Sequence, residues 1–99
     1  MNKCEFIGRM TADPKMRNVG DKQVANFSMA IKTRTDTPVY INCEAWGKSA
    51  EVIARYAGKG KQLGITSRLS QHSYEKDGVK RTVDTYVVEE FDLLGGKNE

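Results

Sequence analysis

The residues of this chain that could do chemistry are aromatic and basic, and they alternate. In VYINCEAWGK, residues 39–48, a period of two puts Val39, Ile41, Cys43 and Ala45 on one face and Tyr40, Asn42, Glu44 and Trp46 on the other. The only tryptophan therefore lies on the polar side of a half-buried strand, beside a tyrosine. The same parity in the preceding strand sets Ala25, Phe27, Met29 and Ile31 against Asn26, Ser28, Ala30, Lys32 and Arg34. In a later strand Leu63, Ile65 and Leu69 face inward, opposite Gly64, Thr66, Arg68, Ser70, His72 and Tyr74. If the outward sets share one surface, it holds Tyr40, Trp46 and Tyr74 among Lys32, Arg34, Arg68 and His72, with Lys76 and Arg81 at a hairpin tip. Rings and cations on a solvated sheet suit single-stranded nucleic acid: bases stack on the rings at ~1–3 kcal/mol each and cations track the phosphates. Duplex DNA hides the base faces. The alternatives are that Trp46 covers a loop or a subunit partner, that the tyrosines are cross-strand packing partners, and that the cations are a solvated face.

The elements that must position these residues are mostly strands. The alternation predicts strands over Asn2 to Met10, with Gly8 a bulge or bend, and over Gln23 to Arg34, Val39 to Gly47, Lys61 to Tyr74 and Arg81 to Leu94. TADPKMRNVGDK, with its Asp-Pro and Gly-Asp pairs, predicts a loop. KSAEVIARYAGKG changes period: Ala50, Ile53, Ala54 and Ala57 are at helical spacing, Glu51 and Arg55 suit the helix dipole, and Gly58 and Gly60 end it. Asp77-Gly78 predicts the tip of a hairpin. Three strands, a helix and two strands fit an all-β domain with one helix: a five-stranded OB-fold barrel, the helix between strands three and four, with a long strand 4–5 hairpin.

Ninety-nine residues make one domain with a modest core, so oligomers are expected. A composition 38% hydrophobic and 29% charged is that of a globular chain, and a net charge of +3 suits a polyanionic partner without requiring one. Cys4 and Cys43 fall in apolar alternation and read as small buried hydrophobes. No signal peptide or long apolar run is visible, so the expected compartment is a reducing, cytoplasmic one. No catalytic constellation emerges. His72 is the only histidine, GKSAE lacks the preceding glycine of a phosphate loop, Glu89 and Glu90 lie on opposite strand faces, and Glu44 is a single carboxylate. No metal, no cofactor and no membrane partner are expected.

With these elements placed, the chain resembles the bacterial single-stranded DNA-binding proteins. The resemblance runs through MNKCEFIGRMTADPKMR, KQVANFSMAI, YINCEAWGKSAEVIARYAGKGKQL, SRLSQHSYEKDGVKR and VVEEFDLL, covering nearly the whole chain in order. It implies an OB-fold protomer of a homotetramer that binds single strands in replication, recombination and repair. It implies stacking at Tyr40, Trp46 and Tyr74, lysines flanking the platform at Lys48 and Lys59, and a hairpin arginine at Arg81. A further stacking aromatic of the family has no counterpart near Thr35, and QLGITSRL is a weaker strand than the family's usual aliphatic run. Family members carry a flexible tail with an acidic tip that recruits replication enzymes. These 99 residues stop at GGKNE, so that recruitment is not expected of them, and residues 96–99 are expected to fray after a domain spanning 1–95. An OB-fold adaptor of the primosomal type, bridging partner proteins, is the rival; the missing tail favours it slightly, and the aromatic platform and helix stretch favour single-strand binding more.

Overall fold

A computed structural model describes residues 1–94 of the 99. The expected fraying of residues 96–99 lies outside the described residues. Seven elements follow one another: β1 (Cys4–Met10), β2 (Lys15–Val19), β3 (Lys22–Ile31), β4 (Val39–Trp46), α1 (Lys48–Tyr56), β5 (Gln62–Lys76) and β6 (Val79–Leu94). The six strands form one sheet in the order β1-β5-β6-β4-β3-β2, which closes because β1 also pairs with β3.

Closure occurs in the second half of β1. Cys4 to Arg9 pair antiparallel with Ser67 to Gln62 of β5, while Arg9 and Met10 also pair with Ala30 and Met29 of β3. Gly8 stands where the third strand arrives. A Cβ there would meet the Ala30 carbonyl oxygen at 2.5 Å and Ile31 Cδ1 at 2.6 Å, so only glycine lets the seam close. The expected bend at Gly8 is thus a close approach of two backbones.

The predicted five strands gain a sixth. KMRNV, expected as part of a loop, is β2, paired residue for residue with β3 from Lys15↔Asn26 to Val19↔Lys22. All five of its side chains are exposed, so it carries no alternation to read. β3 also ends earlier than expected, at Ile31, leaving Lys32 and Arg34 in the connection to β4. Threonines knit that connection: the Thr33 hydroxyl donates to the Thr37 carbonyl at 2.9 Å and accepts from the Thr35 N–H at 3.2 Å.

Inside the barrel the predicted parity holds, except at the strand ends, where Val39 is exposed and Ile31 half-buried. Phe27, Met29, Ile41, Cys43, Leu63 and Ile65 are buried in one cluster with Val88; Phe6 and Tyr86 pack against it and meet each other edge to face with ring centroids 5.0 Å apart. Leu69 is half-buried. The helix closes one end with Ala50, Ile53 and the following Ala57, whereas Ala54, expected on that stripe, is exposed. Asp13 ties the helix exit to the loop after β1 by accepting the Lys59 N–H at 2.8 Å. β6 runs parallel to β4 through Cys43↔Tyr86 and Glu44↔Val87, and antiparallel to β5 over the whole hairpin. Asp77 and Gly78, both at positive φ, form its two-residue turn.

Cys43 is buried and Cys4 half-buried, and both thiols are free. Burial pushes the Cys43 thiol up from 9.0 to about 12. The sign of the linkage follows: below the unfolded value both states keep the proton and stability is full; above it the unfolded chain releases the proton and the fold does not, so stability falls. Tyr86 is raised as well, first by burial, and adds the same sign. Urea melts should therefore weaken between neutral pH and about pH 10.5, and Cys43→Ala should flatten that decline. An unchanged pH slope in the variant would remove Cys43 as its cause.

Candidate nucleic-acid interface

Directly paired residues of neighbouring strands point to the same side of a sheet, so the registers assign the outer face without ambiguity. One row crosses five strands: Lys15↔Asn26, Asn26↔Glu44, Glu44↔Val87 and Val87↔Arg68. A second row is Arg17↔Val24 and Val24↔Trp46. Two strands over, the long hairpin continues the face with His72↔Val83, Tyr74↔Arg81 and Lys76↔Val79. Ala30↔Tyr40 marks its other margin. The three predicted aromatics are all exposed here, Tyr40 by 64%, Tyr74 by 46% and Trp46 by 37%.

Trp46 is the least exposed of the three for a reason the registers give. Val24 lies on this outer face yet is fully buried and is not among the members of the core cluster. Its cross-strand neighbours Arg17 and Trp46 are placed to cover it. The tryptophan thus does both things weighed for it: part of the indole shields its own sheet, and the rest faces solvent. Beside it an open depression is lined by Asp21, Lys22, Gln23, Gly47 and Lys48.

The predicted cations divide. Arg68, His72, Lys76 and Arg81 share the face with the aromatics. Arg68 is also 3.7 Å from Glu89, the residue left over where the β5–β6 register shifts between Thr66 and Ser67. Lys48 opens the helix next to Trp46 and lies 4.0 Å from Glu51. Arg34 is exposed in the β3–β4 connection, near the Tyr40 end. Lys32 lines a groove of about 900 Å³ with Phe6, Ile7, Thr66, Glu90 and Phe91, on the β1–β5 side of the barrel, and is not brought to Trp46. Lys59 sits in the α1–β5 connection against the β1–β2 loop, and no register row carries it to the aromatic face.

Several residues of the face were not expected. Lys15 and Arg17 come from the unpredicted β2. Glu44, on an outward position, is buried, with its carboxylate 3.8 Å from the Arg17 guanidinium. Arg17 Nε–H also donates to Asn26 Oδ1 at 2.7 Å. A signal for this cover exists in the sequence: Val24 is an apolar residue on the polar parity of its strand. Tyr56, 56% exposed at the helix end, is a further aromatic outside the predicted set. Among the described residues no group of three or more His, Cys, Asp or Glu is placed to hold a metal ion, and no helix is long and apolar enough to cross a membrane.

A small closed barrel of this strand order, with one helix between its third and fourth barrel strands, is an OB fold. Residues 1–94 match the Single-strand binding protein family. The chain is 39% identical over 103 residues to the single-stranded DNA-binding protein of Clostridium perfringens, covering 99% of this chain and 69% of that one. It is 37% identical to single-stranded DNA-binding protein 2 of Clostridium acetobutylicum, covering 95% and 77%. It is 32% identical to the single-stranded DNA-binding protein of Staphylococcus epidermidis, covering 100% and 80%. The chain belongs to the single-strand binding protein family.

Proposed function

We propose that this protein binds single-stranded DNA with little regard for sequence, in DNA replication, recombination and repair. The observation that carries the reading is the continuous outer face on which Tyr40, Trp46 and Tyr74 are exposed together with cations. Bases stack on the three rings. Arg34, Lys48, Arg68, Lys76 and Arg81 neutralise phosphates, His72 contributes a polar contact, and Lys32 and Lys59 engage a strand that continues around the barrel. The role is binding, with no catalytic step, cofactor or metal assigned. The functional unit is an OB-fold domain spanning residues 1–95, acting in the cytoplasm.

A homotetramer is the proposed assembly. Two features support self-association: among the described residues Cys4 to Gly8 of β1 pair on one side only, with β5, and Ile7 on that stretch is 60% exposed.

Titration with oligo-dT, followed by tryptophan fluorescence, tests the proposal. Strong quenching by the single strand, weakening with salt and absent with duplex DNA, is the expected result. No quenching at low salt would mean that Trp46 does not meet bases, and an adaptor bridging replication proteins would take its place.

A further inference from the structure

Arg17 is a cation on the nucleic-acid face whose Nε–H and Nη2 are already turned to neighbouring side chains. Its Nε–H donates to Asn26 Oδ1 at 2.7 Å, and Nη2 lies 3.8 Å from Glu44 Oε2. The Glu44 side chain is 8% exposed and that of Arg17 51%. A buried carboxylate behind the guanidinium offsets its charge locally and makes it costly for Arg17 to leave, because an unpaired buried charge would remain. The offset charge and the engaged Nε–H weaken Arg17 as a ligand for phosphate, which is held best by an uncompensated charge and a free fork of N–H donors.

They do not weaken its flat face. A guanidinium is planar and delocalised, and its faces stack on aromatic rings and on bases. Asn26 and Glu44 sit side by side in register beneath it and fix its direction. The Arg17↔Val24↔Trp46 row puts it on the same side of the sheet as the indole, two strand spacings or about 10 Å away at the backbone. Val24 between them is fully buried, so the two side chains flank a covered position of the sheet.

We propose that the Arg17 guanidinium, held by Asn26 and Glu44 beside Trp46, is a stacking surface for a nucleobase and not a phosphate ligand. The inference rests on the single-strand reading above and extends its platform by one position on β2. Glu44 and Asn26 act through Arg17 and are positioning residues.

The test is anisotropy of a labelled dT oligonucleotide with the 99-residue chain over a salt series, with thermal melts to establish that each variant is folded. Arg17→Lys keeps the charge and loses the plane. The double variant R17A/E44V removes both charges, so no carboxylate is stranded. The expected result is that each binds about tenfold more weakly than the parent, the scale of one lost base stack, with an unchanged slope of log affinity against log salt. Parent-like affinity in Arg17→Lys would overturn the proposal. So would a slope shallower by ~0.7 in R17A/E44V, the mark of one lost phosphate contact. If Arg17→Lys does not fold, the double variant decides. A parent that fails to bind dT at all would instead refute the single-strand reading, which separates the two failures.

Discussion

Trp46→Ala is expected to lose about 5- to 150-fold in affinity for oligo-dT, corresponding to ~1–3 kcal/mol of stacking. It should also lose some stability, because Trp46 is placed to cover Val24 on the outer face. The two losses separate in a second variant. Trp46→Phe keeps an apolar cover over Val24 and a smaller stacking ring, so it should recover most of the stability and only part of the affinity. The measurements are anisotropy for binding and denaturant melts for stability, on both variants. Trp46→Ala with lower stability and parent affinity would reduce the tryptophan to a cover.

Gly8→Ala should cost about 3 kcal/mol, near the upper end of the range for overpacked sites. The added methyl carbon would sit 2.5 Å from a backbone oxygen of β3, and a backbone cannot turn aside as a long side chain can. Relief requires the β1–β3 seam to open, and that seam is what makes the sheet a barrel. Gly64→Ala is the control, in the neighbouring strand. The nearest atoms to its Cβ would be Leu94 Cδ1 at 3.4 Å and Ile7 Cγ1 at 3.6 Å, ordinary contacts, so its melt should lie within ~1 kcal/mol of the parent. Equal stability of the two variants would show that closure does not depend on Gly8.

Much of this was legible because a period of two is a strong code wherever one face of a strand is buried. Phe27, Met29, Ile41, Leu63 and Ile65 announce the core, and by subtraction Tyr40, Trp46 and Tyr74 announce the outer face. What escaped is whatever depends on a partner strand with no period of its own. β2 exposes every side chain, so nothing in KMRNV distinguishes a strand from a loop. Without β2 there is no Arg17, and without Arg17 the outward Glu44 looks solvated when it is buried. The charges left the pattern where the strand ended early: Lys32 shares the parity of Ser28 and Ala30 but lies past Ile31, where parity no longer applies. Lys59 came from resemblance alone, and its connection faces the β1–β2 loop.

The hairpin of β5 and β6 has a consequence for how this fold can change in length. From Ser67↔Val88 to the tip its ladder runs without interruption. Removing one residue from each strand would keep the pairing but send Tyr74 and Arg81 to the back of the arm. Removing two from each would return both to the front, one pleat closer to the barrel. The reach of the arm is therefore quantised: it can be shortened or extended in steps of two residues per strand while the ring and the guanidinium keep facing the same way, and every odd step silences both at once.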